Sequence, residues 1–91
     1  KAPEPPAVQA VSDSSGWRIS WQPKGKEAPF VYVLYTRRAG GWRPEIYPAG
    51  RLSAGLPADG GKVSAVAVTA VDRSGNESKK KVILLEPAGQ D

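Results

Sequence analysis

Apolar residues recur along this chain with a period of two, in short bursts separated by polar turns. In Trp17-Arg-Ile-Ser-Trp21 the alternation is strict. An extended segment there puts Trp17, Ile19 and Trp21 on one face and Arg18 and Ser20 on the other. No window places apolar residues at i, i+3, i+4 and i+7 without an intervening Gly or Pro, so no amphipathic helix is expected. Strands are predicted over 7–11, 17–21, 30–38, 42–47, 51–56, 63–71 and 80–85. Leu52, Ala54 and Leu56 share a face in the fifth, and Val66, Val68 and Ala70 alternate with Ala65, Ala67 and Thr69 in the sixth. The intervening Ser12-Asp-Ser-Ser-Gly16, Ala39-Gly-Gly41, Pro48-Ala-Gly50 and Asp72-Arg-Ser-Gly-Asn76 are turn-forming clusters. Such clusters at intervals of roughly 8–12 residues point to an antiparallel β-sandwich. The Pro-rich opening (1–6) reads as a stiff linker, 7–86 as one domain and 87–91 as a tail.

Composition narrows the chemistry. The 91 residues contain no Cys, no His and no Met. Disulfides, thiolate metal sites, a Cys nucleophile and Ser-His-Asp chemistry are thereby excluded from this chain. A chain without Met that starts at Lys1 is expected to be a domain of a longer protein. With 13 Lys+Arg against 9 Asp+Glu the net charge is +4, which permits weak attraction to nucleic acid or anionic glycans. No apolar run is long enough for a membrane span.

At several places the residues resemble fibronectin type III domains. Trp17-Arg-Ile-Ser-Trp21-Gln-Pro23 is similar to that family's second strand, which ends in a core Trp followed by Pro. Val31-Tyr-Val33-Leu-Tyr35 is similar to its third strand. Leu56-Pro57 with Val66-Ala-Val68-Thr-Ala70-Val-Asp72 resembles the corner and strand that follow, and Asp72-Arg-Ser-Gly-Asn-Glu-Ser78 resembles the last turn. The resemblance covers roughly 6–85 and implies a seven-stranded antiparallel immunoglobulin-like sandwich, all-β. One departure is Ser64, where the family usually carries a Tyr that pins the corner; with Gly60-Gly61 beside it, a more mobile loop is expected. The set Tyr32-Val-Leu-Tyr35, Arg37-Arg-Ala-Gly-Gly-Trp42 and Ala70 to Ser78 also resembles the C-terminal module of bacterial secreted lipoproteins with a family-10-like glycosyl hydrolase barrel. That resemblance implies a non-catalytic accessory or spacer module of a secreted, periplasmic or cell-envelope protein, in which the barrel supplies the chemistry. The alternative is an adhesion or protein–protein interaction module of a surface protein.

Within the chain no residue is assigned a catalytic, cofactor-binding or metal-ligating role. Glycoside hydrolysis needs two carboxylates across a cleft, whereas Asp13, Asp59 and Asp72 fall in turns and Glu4, Glu86 and Asp91 flank the domain. Lys79, Lys80 and Lys81 read as a solvated run rather than a base of lowered pKa. Asp72, Asn76 and Glu77 offer oxygen ligands for calcium, but a turn in which Asp72 and Asn76 bond the backbone explains them better. Arg37, Arg38 and Arg43 cluster near aromatics without the ordered stacking platform of a nucleic-acid site, so no nucleic-acid partner is expected. Phe30-Val-Tyr-Val-Leu-Tyr35 is the unusual segment: it is apolar at both parities, although one wet face calls for alternation. Matched to the family, Val31, Val33 and Tyr35 face inward and Tyr32 and Leu34 outward. The expected interface residues are therefore Tyr32, Leu34, Arg38 and Trp42, and the expected partner is a neighbouring domain of the same polypeptide, with weak glycan or protein contact besides.

Overall fold

A computed structural model of the chain describes residues 3–25, 29–57 and 62–85. The strands are β1 (Ala7–Asp13), β2 (Gly16–Gln22), β3 (Val31–Arg38), β4 (Gly41–Pro48), β5 (Ser53–Pro57), β6 (Ala65–Val71) and β7 (Ile83–Leu84). They form two antiparallel sheets, β1-β2-β5 and β4-β3-β6-β7. The seven-stranded all-β sandwich expected from the alternation is what the chain forms. The opening Lys1, the Gly60-Gly61 corner and the tail from Glu86 lie outside the described residues.

Both inner faces are built from alternate residues. Ile19 and Trp21 from β2, and Ala54 and Leu56 from β5, meet Tyr32 and Leu34 from β3 and Val66, Val68 and Ala70 from β6. Trp17 is partly buried against this cluster. Trp21 is central: its ring lies 5.9 Å from that of Tyr32 and 5.6 Å from that of Tyr47. Its Nε1 donates to the Arg51 carbonyl at 3.0 Å, so the indole is buried with its one polar atom satisfied.

Three boundaries differ from expectation. β1 runs on to Asp13, because Ser12 and Asp13 pair with Trp17 and Gly16 and only Ser14 and Ser15 are left to turn. Leu52 does not share the buried face of Ala54 and Leu56; it precedes β5 and is exposed. β7 is only two residues long. Upstream of it, the Ala70 N–H donates to the Ser78 side-chain hydroxyl rather than to a backbone carbonyl, and regular pairing with β6 resumes only at Ile83. Ser64, standing where a Tyr was expected, ties the β6 entry by its backbone: its N–H donates to Arg37 and its carbonyl accepts from Leu85, both at 2.9 Å.

Candidate functional site

The outer face of the four-stranded sheet carries what chemistry the surface offers. Register decides its membership. Arg37 of β3 stands opposite both Trp42 of β4 and Ala65 of β6; Tyr35 stands opposite Pro44 and Ala67; Val33 opposite Ile46 and Thr69. Leu84 of β7 pairs with Ala65 and extends the first row. Because side chains alternate, these residues share the face opposite to the core.

This overturns the expected parity of β3. Tyr32 and Leu34, expected on the outside, are 1% and 0% exposed in the core, and the outward set is Val31, Val33, Tyr35 and Arg37. The cause lies in the partners. Inward, Tyr32 meets the Trp21 ring and stands opposite Tyr47 on one side and the small Ala70 on the other, so the ring has room. Outward, the Tyr35 hydroxyl reaches a carboxylate. Trp42 does lie on the outer face, and Arg38 lies at the same end of the β3–β4 hairpin, half-buried and engaged with another group. Arg38 and Trp42 come together; Tyr32 and Leu34 are on the far side of the sheet.

A hydrogen-bonded network covers the middle of the face. The Tyr35 hydroxyl donates to Glu77 Oε2 at 2.5 Å and Thr69 Oγ1 donates to the same oxygen at 2.6 Å. The Lys80 ammonium sits 4.1 Å from the centre of the Tyr35 ring, in cation–π range. These long side chains roof the small Ala67 and Thr69, which are buried although they face outward. The Thr69 and Tyr35 hydrogen bonds hold the Glu77 carboxyl below its ordinary value. Burial, then the bond to Glu77, pushes the Tyr35 phenol up to about 12.

A pH dependence follows. Glu77 titrates lower in the fold than its free value of 4.5, so the stability it contributes is present above that value and lost as pH falls through and below it. Tyr35 titrates higher in the fold than its free value of 10.0, so its contribution is present below pH 10 and lost as pH rises toward about 12. The urea midpoint should be flat near neutrality and fall at both extremes. Glu77→Gln should flatten the acid limb in part, Asp72 supplying the rest. An unchanged acid limb would remove Glu77 from the account.

The last turn explains the oxygen cluster. Asp72 Oδ1 accepts the Ser74 and Asn76 backbone N–H groups at 3.0 and 2.9 Å, and Oδ2 accepts the Asn76 side-chain amide at 3.1 Å. These bonds lower the Asp72 carboxyl's pKa, and Gly75 supplies the positive φ of 88° that the turn needs. Glu77 points away to Tyr35, while Glu45 accepts from the Tyr47 hydroxyl at 3.0 Å. Each of these three carboxylates is committed to the scaffold.

Two groups of exposed side chains remain. Trp42, Ile46 and Leu84, exposed by 45%, 69% and 70%, form an apolar border around the roofed centre. At the hairpin end, Arg37, Arg38, Trp42, Arg43 and Lys62 line a wide concavity of about 930 Å³. Sequence reasoning missed Ile46, Leu84 and Lys62. The alternation Trp42-Pro44-Ile46 against Arg43-Glu45-Tyr47 was visible, but which set faced outward was not.

No protein-family model matches the sequence, and no curated protein matches it. Among solved structures the chain is similar to the fn3 domain of human collagen alpha-1(XX) chain, solved in solution. The TM-score is 0.72 and the identity 22%, over all of this chain and 93% of that one. With its sheets β1-β2-β5 and β4-β3-β6-β7, the chain has the fold of a fibronectin type III domain.

Proposed function

We propose that this domain is a non-catalytic accessory module that docks a neighbouring domain of the same polypeptide through the outer face of its four-stranded sheet. The observation that carries the reading is the exposure of Trp42, Ile46 and Leu84 on a face that the sandwich's own core does not use. Exposed apolar residues grouped on one face mark interfaces, and contacts of roughly 600–1,500 Å² between domains of one chain are ordinary. The resemblance of the 32–42 and 70–78 segments to modules of secreted bacterial glycoside hydrolases supports such an enzyme as the parent, and with it a location outside the cytoplasm. Trp42 keeps its place as an interface residue; Arg38 lies at the hairpin end with the parity of Tyr32 and Leu34, and Ile46 and Leu84 take the places on the outer face.

The experiment is Ile46→Ser with Leu84→Ser in the full-length protein. Both side chains are mostly in water, so the domain should unfold within about 0.5 kcal/mol of the wild type for each change. Its docking should loosen, seen as faster proteolysis between the domains. Proteolysis at the wild-type rate would sink the docking reading and leave adhesion to a separate protein as the alternative.

A further inference from the structure

We infer that the open end of the β3–β4 hairpin is a binding site for an acidic polysaccharide, with Trp42 as the stacking surface and Arg37, Arg43 and Lys62 as the anion-pairing groups. The inference shares Trp42 with the docking reading but is tested apart from it: it draws on the cations and the indole and is read on the 91-residue chain alone, whereas the docking test changes only Ile46 and Leu84.

The hairpin brings these groups together. Arg38 pairs with Gly41, leaving Ala39 and Gly40 as the turn, and Gly41 takes a φ of 112°, which side-chain-bearing residues rarely adopt. Arg37 and Trp42 then stand opposite each other on the outer face. Arg43, the next residue, leaves the edge strand toward the other face. Lys62 arrives from just before β6, where Ser64 is bonded through its N–H and hydroxyl to the Arg37 carbonyl at 2.9 and 3.3 Å. Arg37, Trp42, Arg43 and Lys62 are all exposed, and among the described residues no carboxylate lines the concavity. Glu45, the acid of the same strand, is occupied by Tyr47. The result is a local concentration of positive charge around one half-exposed indole on a chain of net charge +4.

Charge complementarity calls for a polyanion, and three features favour a glycan. The site is wide and open, suited to a chain that passes over it. Its aromatic surface is a single indole, matching the C–H face of one sugar ring, whereas nucleic-acid sites stack successive bases on several aromatics. An acidic peptide would gain most by adding a strand to the β4 edge. Pro44 and Pro48 lie at the same parity of that edge strand, and each takes a donor out of the outward-facing row. Carboxylate or sulfate groups on the sugars would pair with the guanidinium groups, which match planar oxyanions through paired N–H donors.

The test titrates the 91-residue chain at low salt with oligomeric alginate, a polyuronate, and with dextran sulfate. Neutral dextran, poly-glutamate and a single-stranded thymidine oligomer serve as comparisons. Binding to at least one acidic polysaccharide, tighter than to poly-glutamate or the oligonucleotide, is expected, and the preferred polymer identifies carboxylate or sulfate as the anion. The triple change Arg37→Gln, Arg43→Gln, Lys62→Gln should weaken binding at least about tenfold and reduce its salt dependence, since exposed charges are screened by salt. Trp42→Ala should weaken binding by a similar factor with the salt dependence kept, and Trp42→Phe should restore part of the loss. The urea midpoints of these variants should stay near the wild type. The inference is overturned by three results: no binding to either acidic glycan, a triple variant that binds as wild type, or poly-glutamate or DNA bound as tightly with no loss in Trp42→Ala.

Discussion

Trp21→Ala should destabilise the domain by about 3–5 kcal/mol, a large part of the roughly 5–15 kcal/mol that holds a small domain together. The indole is fully buried and is the largest side chain in the core. It touches both sheets: it belongs to β2 and packs against Tyr32 of β3 and Tyr47 of β4. Truncation leaves a cavity between two sheets that are each held rigid by their ladders, so the surroundings cannot collapse to fill it. It also strips the Arg51 carbonyl of its indole donor. Tyr47 also carries the Arg51 guanidinium 5.0 Å from its ring centre, so the loss reaches the turn before β5. Urea unfolding of the variant is the measurement, and a change under about 1 kcal/mol would mean that the indole does not fill the inter-sheet space.

Tyr32→Ser with Leu34→Ser should leave the chain unfolded at room temperature. Leu34 is wholly buried between the sheets, and its truncation alone costs about 2–5 kcal/mol. Serine adds a hydroxyl with no partner in an apolar site, about 1–3 kcal/mol more. Removing the Tyr32 ring withdraws the partner of Trp21 and opens space opposite Ala70. The two sites share a cavity, so their costs couple rather than add, but the sum still matches the stability of the whole domain. Near-UV circular dichroism should lose its tryptophan signal in the double variant, while Ile46→Ser, in the adjacent strand on the wet face, keeps it. A folded double variant would require Tyr32 and Leu34 to face solvent.

The contrast between these two predictions marks what could be read from the residues alone. Around Trp21 only one parity is apolar. Trp17, Ile19 and Trp21 alternate with Arg18 and Ser20, and burying the polar set would cost several kcal/mol per group, so strand and face were both legible. The spacing of Gly, Pro, Asn and Asp gave the turns in the same way, and with them the sandwich. Asp72 was legible as a turn residue because its short carboxylate can reach N–H groups two and four residues on without help from the rest of the chain.

Tyr32 to Arg37 was not legible in that sense. Both parities of β3 are apolar and both contain a Tyr, so the chain's own pattern carries no preference between faces. The preference comes from residues distant in sequence: Trp21, itself packed on Tyr47, offers its ring to Tyr32 inside, while Glu77, 42 residues beyond Tyr35, offers an acceptor to the Tyr35 hydroxyl outside. The hairpin-end site has the same origin. Arg37, Trp42 and Arg43 are close in sequence, but Lys62 joins them only because β6 pairs with β3 and Ser64 bonds Arg37. Local alternation thus determined the strands and the face of β2, since one choice there buries polar groups and the other does not. The tertiary structure decided the face of β3 and the make-up of the outer surface, because side chains with a period of two have two equivalent orientations until partners from other strands make them unequal.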